Sequence, residues 1–321
     1  MKILLTGCAG FIGSHLAHRL LALGHEVTGL DCFDETLYPA ALHREQLAPL
    51  LGQPQFSFVE GDILSFGLLT ELCKEASVVL HMAALAGVRP SLSQASRYMR
   101  CNVEGTQNVL SACQQQRVQR IVFASSSSVY GGHAEVPFRE DDPATRPASP
   151  YAASKRAGEL LCSTHCDLYG GSIAALRFFT VYGPHQRPEM AISHFAGRIL
   201  RDEPLVLHGS GDSARDYTYI DDLIDGIVAA LAWTDGPAHG YRSFNLGGER
   251  PLKLRELVQL LEHTLGRAAR IEHRPDQPGD VPITYASLGR SRRELGYSPK
   301  VDIAQGIHRY CDWLAARHRT S

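Results

Sequence analysis

From residue 2 to about residue 124, short apolar and β-branched runs alternate with longer stretches whose apolar residues recur at helical spacing. The runs are KILLT, HEVTGLD, FSFVEGD, SVVLHMA and RIVFASS, and the first leads into FIGSHLAHRLLALG. Such alternation predicts right-handed βαβ units and an α/β fold built on a doubly wound parallel sheet. A further strand, SIAALRFF, follows a helix that starts near Tyr151. Beyond Thr180 the pattern loosens into Pro and Gly clusters at VYGPHQRPEM, HGSGD and HRPDQPGDVP, separated by helices predicted over Leu254–Leu265 and residues 303–315. The expected organisation is one domain over residues 1–180 and a smaller C-terminal lobe over 181–321, parts of which return to the first domain. A lobe lying over the carboxyl ends of the strands creates a ligand cleft.

Composition narrows the class. With 321 residues, 21% charged and 44% apolar, the chain buries a large core and is neither disordered nor fibrous. A formal net charge of -2 gives no footprint for nucleic acid or an anionic membrane. No apolar run reaches membrane-spanning length. The start, Met1-Lys2 and then Ile-Leu-Leu, runs directly into a glycine loop, so no signal peptide is expected. The eight cysteines lack the spacing of a disulfide framework or zinc site, and Cys162, His165 and Cys166 want a fourth ligand. A cytoplasmic protein without a metal is the expectation.

Gly7, Gly10 and Gly13 form G-x-x-G-x-x-G between the first strand and first helix, with Phe11 and Ile12 inside the loop. Such a loop lets backbone approach a pyrophosphate at a helix N-terminus, although glycines also serve as simple helix caps. Asp31, closing the second strand, suits the ribose hydroxyls of NAD and would repel the 2′-phosphate of NADP. This makes the sheet Rossmann-type. Asp62, Ile63, Ala83 and Ala84 end the next two strands, where adenine and pyrophosphate would pass. Taken singly they are ordinary turn carboxylates or packing residues.

Tyr151 and Lys155 stand four apart in SPYAASKRAGELL, on one face of a helix that Pro150 can start. A free phenol is a poor base at neutral pH, and the Lys155 ammonium and a nicotinamide cation would both favour the phenolate. The run VFASSSSVYG places hydroxyls at the end of a central strand, in the same cleft.

With GCAGFIGSH, HMAALAGVRPS, CNVEGT, ASSSSVYG, SPYAASK, LRFFTVYGP, RDYTYIDD and QPGDVP in this order, the chain resembles extended short-chain dehydrogenases that act on nucleotide sugars. The resemblance spans essentially the whole chain, and is closest to UDP-glucuronate 4-epimerases, with UDP-glucose 4-epimerases next. It implies that Ser126 joins Tyr151 and Lys155 in catalysis. Tyr151 would take the proton of the sugar 4-hydroxyl while hydride passes from C4 to NAD, and hydride would return to the other face of the turned 4-keto sugar. Related dehydratases and decarboxylases have acidic residues where this chain has Ser127 and Ser128, which argues for epimerisation alone.

The resemblance also places Thr180 and Arg187 at the sugar carboxylate, which an arginine fork can hold in two places. Clamping that group suppresses loss of carbon dioxide from the β-keto acid. Arg187 could instead sit in a loop ion pair or bind the diphosphate. Arg215 and Asp280 match family positions for the diphosphate and the uridine ribose, or form loop ion pairs. UDP-glucose and UDP-N-acetylglucosamine remain alternative substrates, and a reductase or a non-catalytic NAD-binding regulator are the rival classes. Family members are commonly homodimers.

Overall fold

The computed structural model describes residues 1–132, 135–236, 240–275 and 281–320. Its twelve strands are β1 (Lys2–Thr6), β2 (Glu26–Asp31), β3 (Phe56–Glu60), β4 (Val78–His81), β5 (Arg120–Ser126), β6 (Ser172–Phe178), β7 (Thr180–Tyr182), β8 (Leu205–His208), β9 (Ala214–Tyr219), β10 (Gly240–Leu246), β11 (Pro251–Lys253) and β12 (Ile271–Arg274). Seven of them form one all-parallel sheet in the order β10-β6-β5-β4-β1-β2-β3. The strand order reverses between β1 and β4, the point at which ligands enter doubly wound folds.

Period-two alternation explains why both faces are covered. Ile3 and Leu5 of β1, with Val122 and Ala124 of β5, point into one core, where Leu16, Leu20, Ile224 and Leu231 meet them. Leu4, Ile121 and Phe123 point into the other, against Val109, Leu110 and Cys162. The first face carries helices Phe11–Ala22 and Ile220–Trp233, and the second carries Gly105–Gln116 and Pro150–Tyr169.

Helices expected in the second half appear at Leu254–Leu265 and Ile303–Thr320. The seventh strand comes from there too: β10 pairs with β6 from Gly240↔Ser172 to Leu246↔Phe178. Two small sheets, β11-β9-β7 and β12-β8, build the rest of the second lobe. Their fixed point is Asp216, fully buried, whose carboxylate accepts backbone N–H groups of Gly248 (2.7 Å), Glu249 (3.1 Å) and Ala286 (2.9 Å). Burial pushes its carboxyl up to about 6 despite these bonds. Among the described residues no helix is long and apolar enough to cross a membrane.

Candidate active site

A cavity of ≈ 470 Å³ opens at the carboxyl ends of the central strands, lined at one end by Gly7, Gly10, Phe11, Ile12, Gly13, Asp31, Asp62, Ile63, Ala83 and Ala84. Gly7 has φ +72°, and a Cβ there would lie 2.7 Å from the Ala83 nitrogen. A Cβ on Gly13 would collide with the Gly7 carbonyl. Both positions therefore require glycine. Gly10 is the N-cap of helix Phe11–Ala22, and no side chain caps that first turn. Its N–H groups remain available to an anion at the positive end of the helix.

Asp31 ends β2 with Oδ2 accepting from Ala9 N and Oδ1 from Phe33 N, both at 2.9 Å. Each oxygen keeps a further acceptor site, so the carboxylate is held in place and can still take a ribose hydroxyl. These walls fit NAD: a bare helix end and close backbone for the pyrophosphate, then an acceptor for the ribose.

The other end of the cavity is lined by Ser126, Tyr151, Lys155, Phe178 and Arg187. Helix Pro150–Tyr169 starts at Ser149, whose Oγ accepts from Ala152 N at 3.1 Å, with Pro150 in its first turn. A π turn at Arg100–Glu104 holds Asn102, which donates to Ser154 Oγ at 2.9 Å and accepts from Leu85 N at 2.8 Å. One amide thereby ties the helix that carries Tyr151 and Lys155 to the loop after β4. Behind Ser126, Ser125 Oγ donates to Glu159 at 2.6 Å, and Arg177 clamps the same carboxylate at 2.8 and 2.9 Å.

Burial raises the Tyr151 phenol, opposed first by a hydrogen bond with Ser126 and then by the Arg187 guanidinium. The expected influence of Lys155 on this phenol takes a different form, because the buried ammonium donates to the Ala124 carbonyl at 2.7 Å. Burial lowers Lys155 to about 8, with Cys101, Cys162 and Glu159 opposing. The protein's own cation nearest in effect to Tyr151 is thus Arg187. Arg187 Nη1 is buried without a hydrogen bond, although Glu189 Oε1 lies 3.3 Å away.

Residues 3–247 match the model of the NAD dependent epimerase/dehydratase family. The chain belongs to this family. Among its relatives, UDP-glucuronate 4-epimerase 4 of Arabidopsis thaliana is 42% identical over 98% of this chain and 75% of its own length. UDP-glucuronate 4-epimerase of Thermodesulfobacterium geofontis is 37% identical over 97% of this chain and 95% of its own. The crystal structure of Bacillus cereus UDP-glucuronic acid 4-epimerase with UDP-glucuronic acid and NAD superimposes with a TM-score of 0.93 at 36% identity, covering 99% of this chain and all of that one.

Some residues singled out from the family resemblance stand off the cavity wall. Ser127 and Ser128 fall in the 3₁₀ turn Ser127–Tyr130 beyond β5, and Ser128 N donates to Ser126 Oγ at 3.2 Å. Thr180 begins β7, opposite Tyr217 of β9, while Arg215 Nη1 donates to the Ala214 carbonyl at 2.9 Å. Asp280 lies outside the described residues. Sequence reasoning missed Tyr38 and His43, the ion pair Asp34–Arg97 at 2.6 Å, and Asn102. The first four belong to irregular or short segments without periodicity, and Asn102 was visible only as part of CNVEGT.

Proposed function

We propose that the protein is a UDP-glucuronate 4-epimerase that uses NAD and interconverts UDP-glucuronate and UDP-galacturonate. The observation that carries the choice of sugar is Arg187, a cavity-wall guanidinium that bears on Tyr151 and has a buried, unbonded Nη1. Nη1 meets Glu189 only as an ion pair at 3.3 Å, without a hydrogen bond, so the guanidinium can still take a carboxylate, and a neutral hexose offers none. The relatives named for UDP-glucuronate support the same reading.

Tyr151 is the base for the 4-hydroxyl, and Ser126, bonded to the phenol, relays and steadies that proton. Lys155, fixed by Ala124, supplies buried positive charge beside the nicotinamide ribose. NAD, when bound, supplies the reversible electron-pair acceptor at C4. Gly7, Gly10 and the first turn of the helix hold its pyrophosphate, Asp31 its adenosine ribose, and Asp62 and Ile63 flank the adenine. Arg187 keeps the sugar carboxylate from leaving as carbon dioxide while C4 is a ketone, and Thr180, off the cavity wall at the start of β7, would have to reach in to assist. With serines at 127 and 128, no carboxylate stands after Ser126 to drive elimination. Arg215 and Asp280 would meet the diphosphate and uridine ribose.

A dimer through helix Pro150–Tyr169 is supported by Leu160, Leu168 and Tyr169, exposed along it. All eight cysteines are free, which suits a reducing cytoplasm. Incubation with UDP-glucuronate, UDP-glucose and UDP-N-acetylglucosamine, with products identified by NMR, tests the assignment. UDP-galacturonate should accumulate to equilibrium without net NADH. Turnover of UDP-glucose but not UDP-glucuronate would reject the sugar.

A further inference from the structure

His43, on helix Ala40–Leu47, lines the same cavity as Asp31 and is 7% exposed. Its Nδ1 and Nε2 are both enclosed, and neither has a hydrogen-bond partner. The ring itself is tightly placed. It stacks on Tyr38 at 4.2 Å and 11°, and meets Phe33 edge-on at 6.3 Å. Phe33 holds φ +52°, in the left-handed region that ordinary side chains avoid, and the Arg44 guanidinium covers it at 4.2 Å. Backbone strain of this kind persists where surroundings impose it, commonly at ligand sites. The strained turn is the same one whose N–H fixes Asp31 Oδ1. His43 lies near enough to Asp31 for the two side chains to interact.

Two orphan nitrogens on one immobilised, buried ring cost stability unless something fills them. We propose that His43 is a further cofactor-binding residue, which holds a hydroxyl of the adenosine ribose of NAD together with Asp31. Imidazole in its neutral form presents one N–H donor and one bare acceptor. A ribose hydroxyl needs both kinds of partner: it donates to the carboxylate and accepts from the ring. A phosphate oxygen offers only acceptors. The adenine edge offers both kinds, and an analogue lacking the ribose hydroxyls separates the two, since a contact to the base would be lost on that analogue as well. This role rests on the assignment of NAD to the cavity.

His43→Phe keeps a ring against Tyr38 and removes both nitrogens. Binding of NAD and of ADP-ribose to purified, cofactor-stripped protein is measured by titration calorimetry. Affinity for each should fall roughly tenfold, the loss of a single neutral hydrogen bond in a dry site. An NAD analogue carrying 2′,3′-dideoxyadenosine should bind both proteins within about twofold of each other. The thermal midpoint without cofactor should hold or rise, since two unpartnered groups are gone. An unchanged NAD affinity in His43→Phe would overturn the role, as would an equal loss on the dideoxy analogue. His43→Leu is read the same way if phenylalanine does not fit. Failure of the wild-type protein to bind NAD at all would instead reject the cofactor assignment.

Discussion

The Lys155 ammonium donates to the Ala124 carbonyl at 2.7 Å, fastening helix Pro150–Tyr169 to the end of β5 from inside the core. Burial holds this lysine at about 8 rather than 10.5. Between those values the unfolded chain binds more protons than the folded one, so the contribution of this group to stability rises with pH across that window. The difference in urea midpoint between wild type and Lys155→Met should therefore shift in favour of wild type from pH 8 to 10.5. A constant difference would mean that Lys155 titrates normally. Above about pH 8 the site also loses a cation, so kcat should decline on the alkaline side.

Tyr151→Phe deletes one hydroxyl from a half-buried ring packed edge-on against Tyr98 at 6.2 Å. Its kcat should fall roughly 10²–10⁴-fold while the melting temperature and NAD binding stay near wild type. Near-normal turnover would remove the phenol from the mechanism.

Asp31→Asn keeps an acceptor for the ribose and removes the charge that faces a 2′-phosphate. Preference for NAD over NADP, measured by competitive titration, should shrink about tenfold or more. Unaltered preference would place discrimination elsewhere.

Arg187→Met should cost UDP-glucuronate about 2 kcal/mol in kcat/KM, roughly thirtyfold, and UDP-glucose far less. Some UDP-4-keto-pentose should also leak, because an unclamped carboxylate can rotate and depart. Equal losses on both sugars, without decarboxylation, would make Arg187 a diphosphate or loop residue.

Asp216→Ala strands the backbone N–H groups of Gly248, Glu249 and Ala286 inside the second lobe. The variant should lose about 3 kcal/mol or more and melt several degrees lower, as read by calorimetry. A melting point within a degree of wild type would show that water replaces the carboxylate.

The first half of the fold was legible because each strand there is an apolar run and each intervening helix has its own period, as in KILLT followed by FIGSHLAHRLLALG. GYRSFNL was not read as a sheet strand: its exposed Arg242 and short apolar end resemble loop sequence, and only pairing with buried β6 makes it β10. The same holds within the site. Gly7, Asp31, Tyr151 and Lys155 stand at fixed distances from element ends, whereas Tyr38 and His43 reach the cavity through the path of an irregular loop and short helix. The charge logic changed for a similar reason. Spacing placed Lys155 beside Tyr151 on the helix face, but spacing is blind to the Ala124 carbonyl that the ammonium takes.

Because β10 seals the edge of β6, the first 180 residues are not a separable module. All seven residues of β6 are buried, and a fragment stopping there would offer its whole edge to other chains and aggregate. Domain shuffling between relatives at that boundary would seat a foreign strand against a native one. New specificities are therefore better sought by exchanging loops that line the cavity, with the two lobes inherited together.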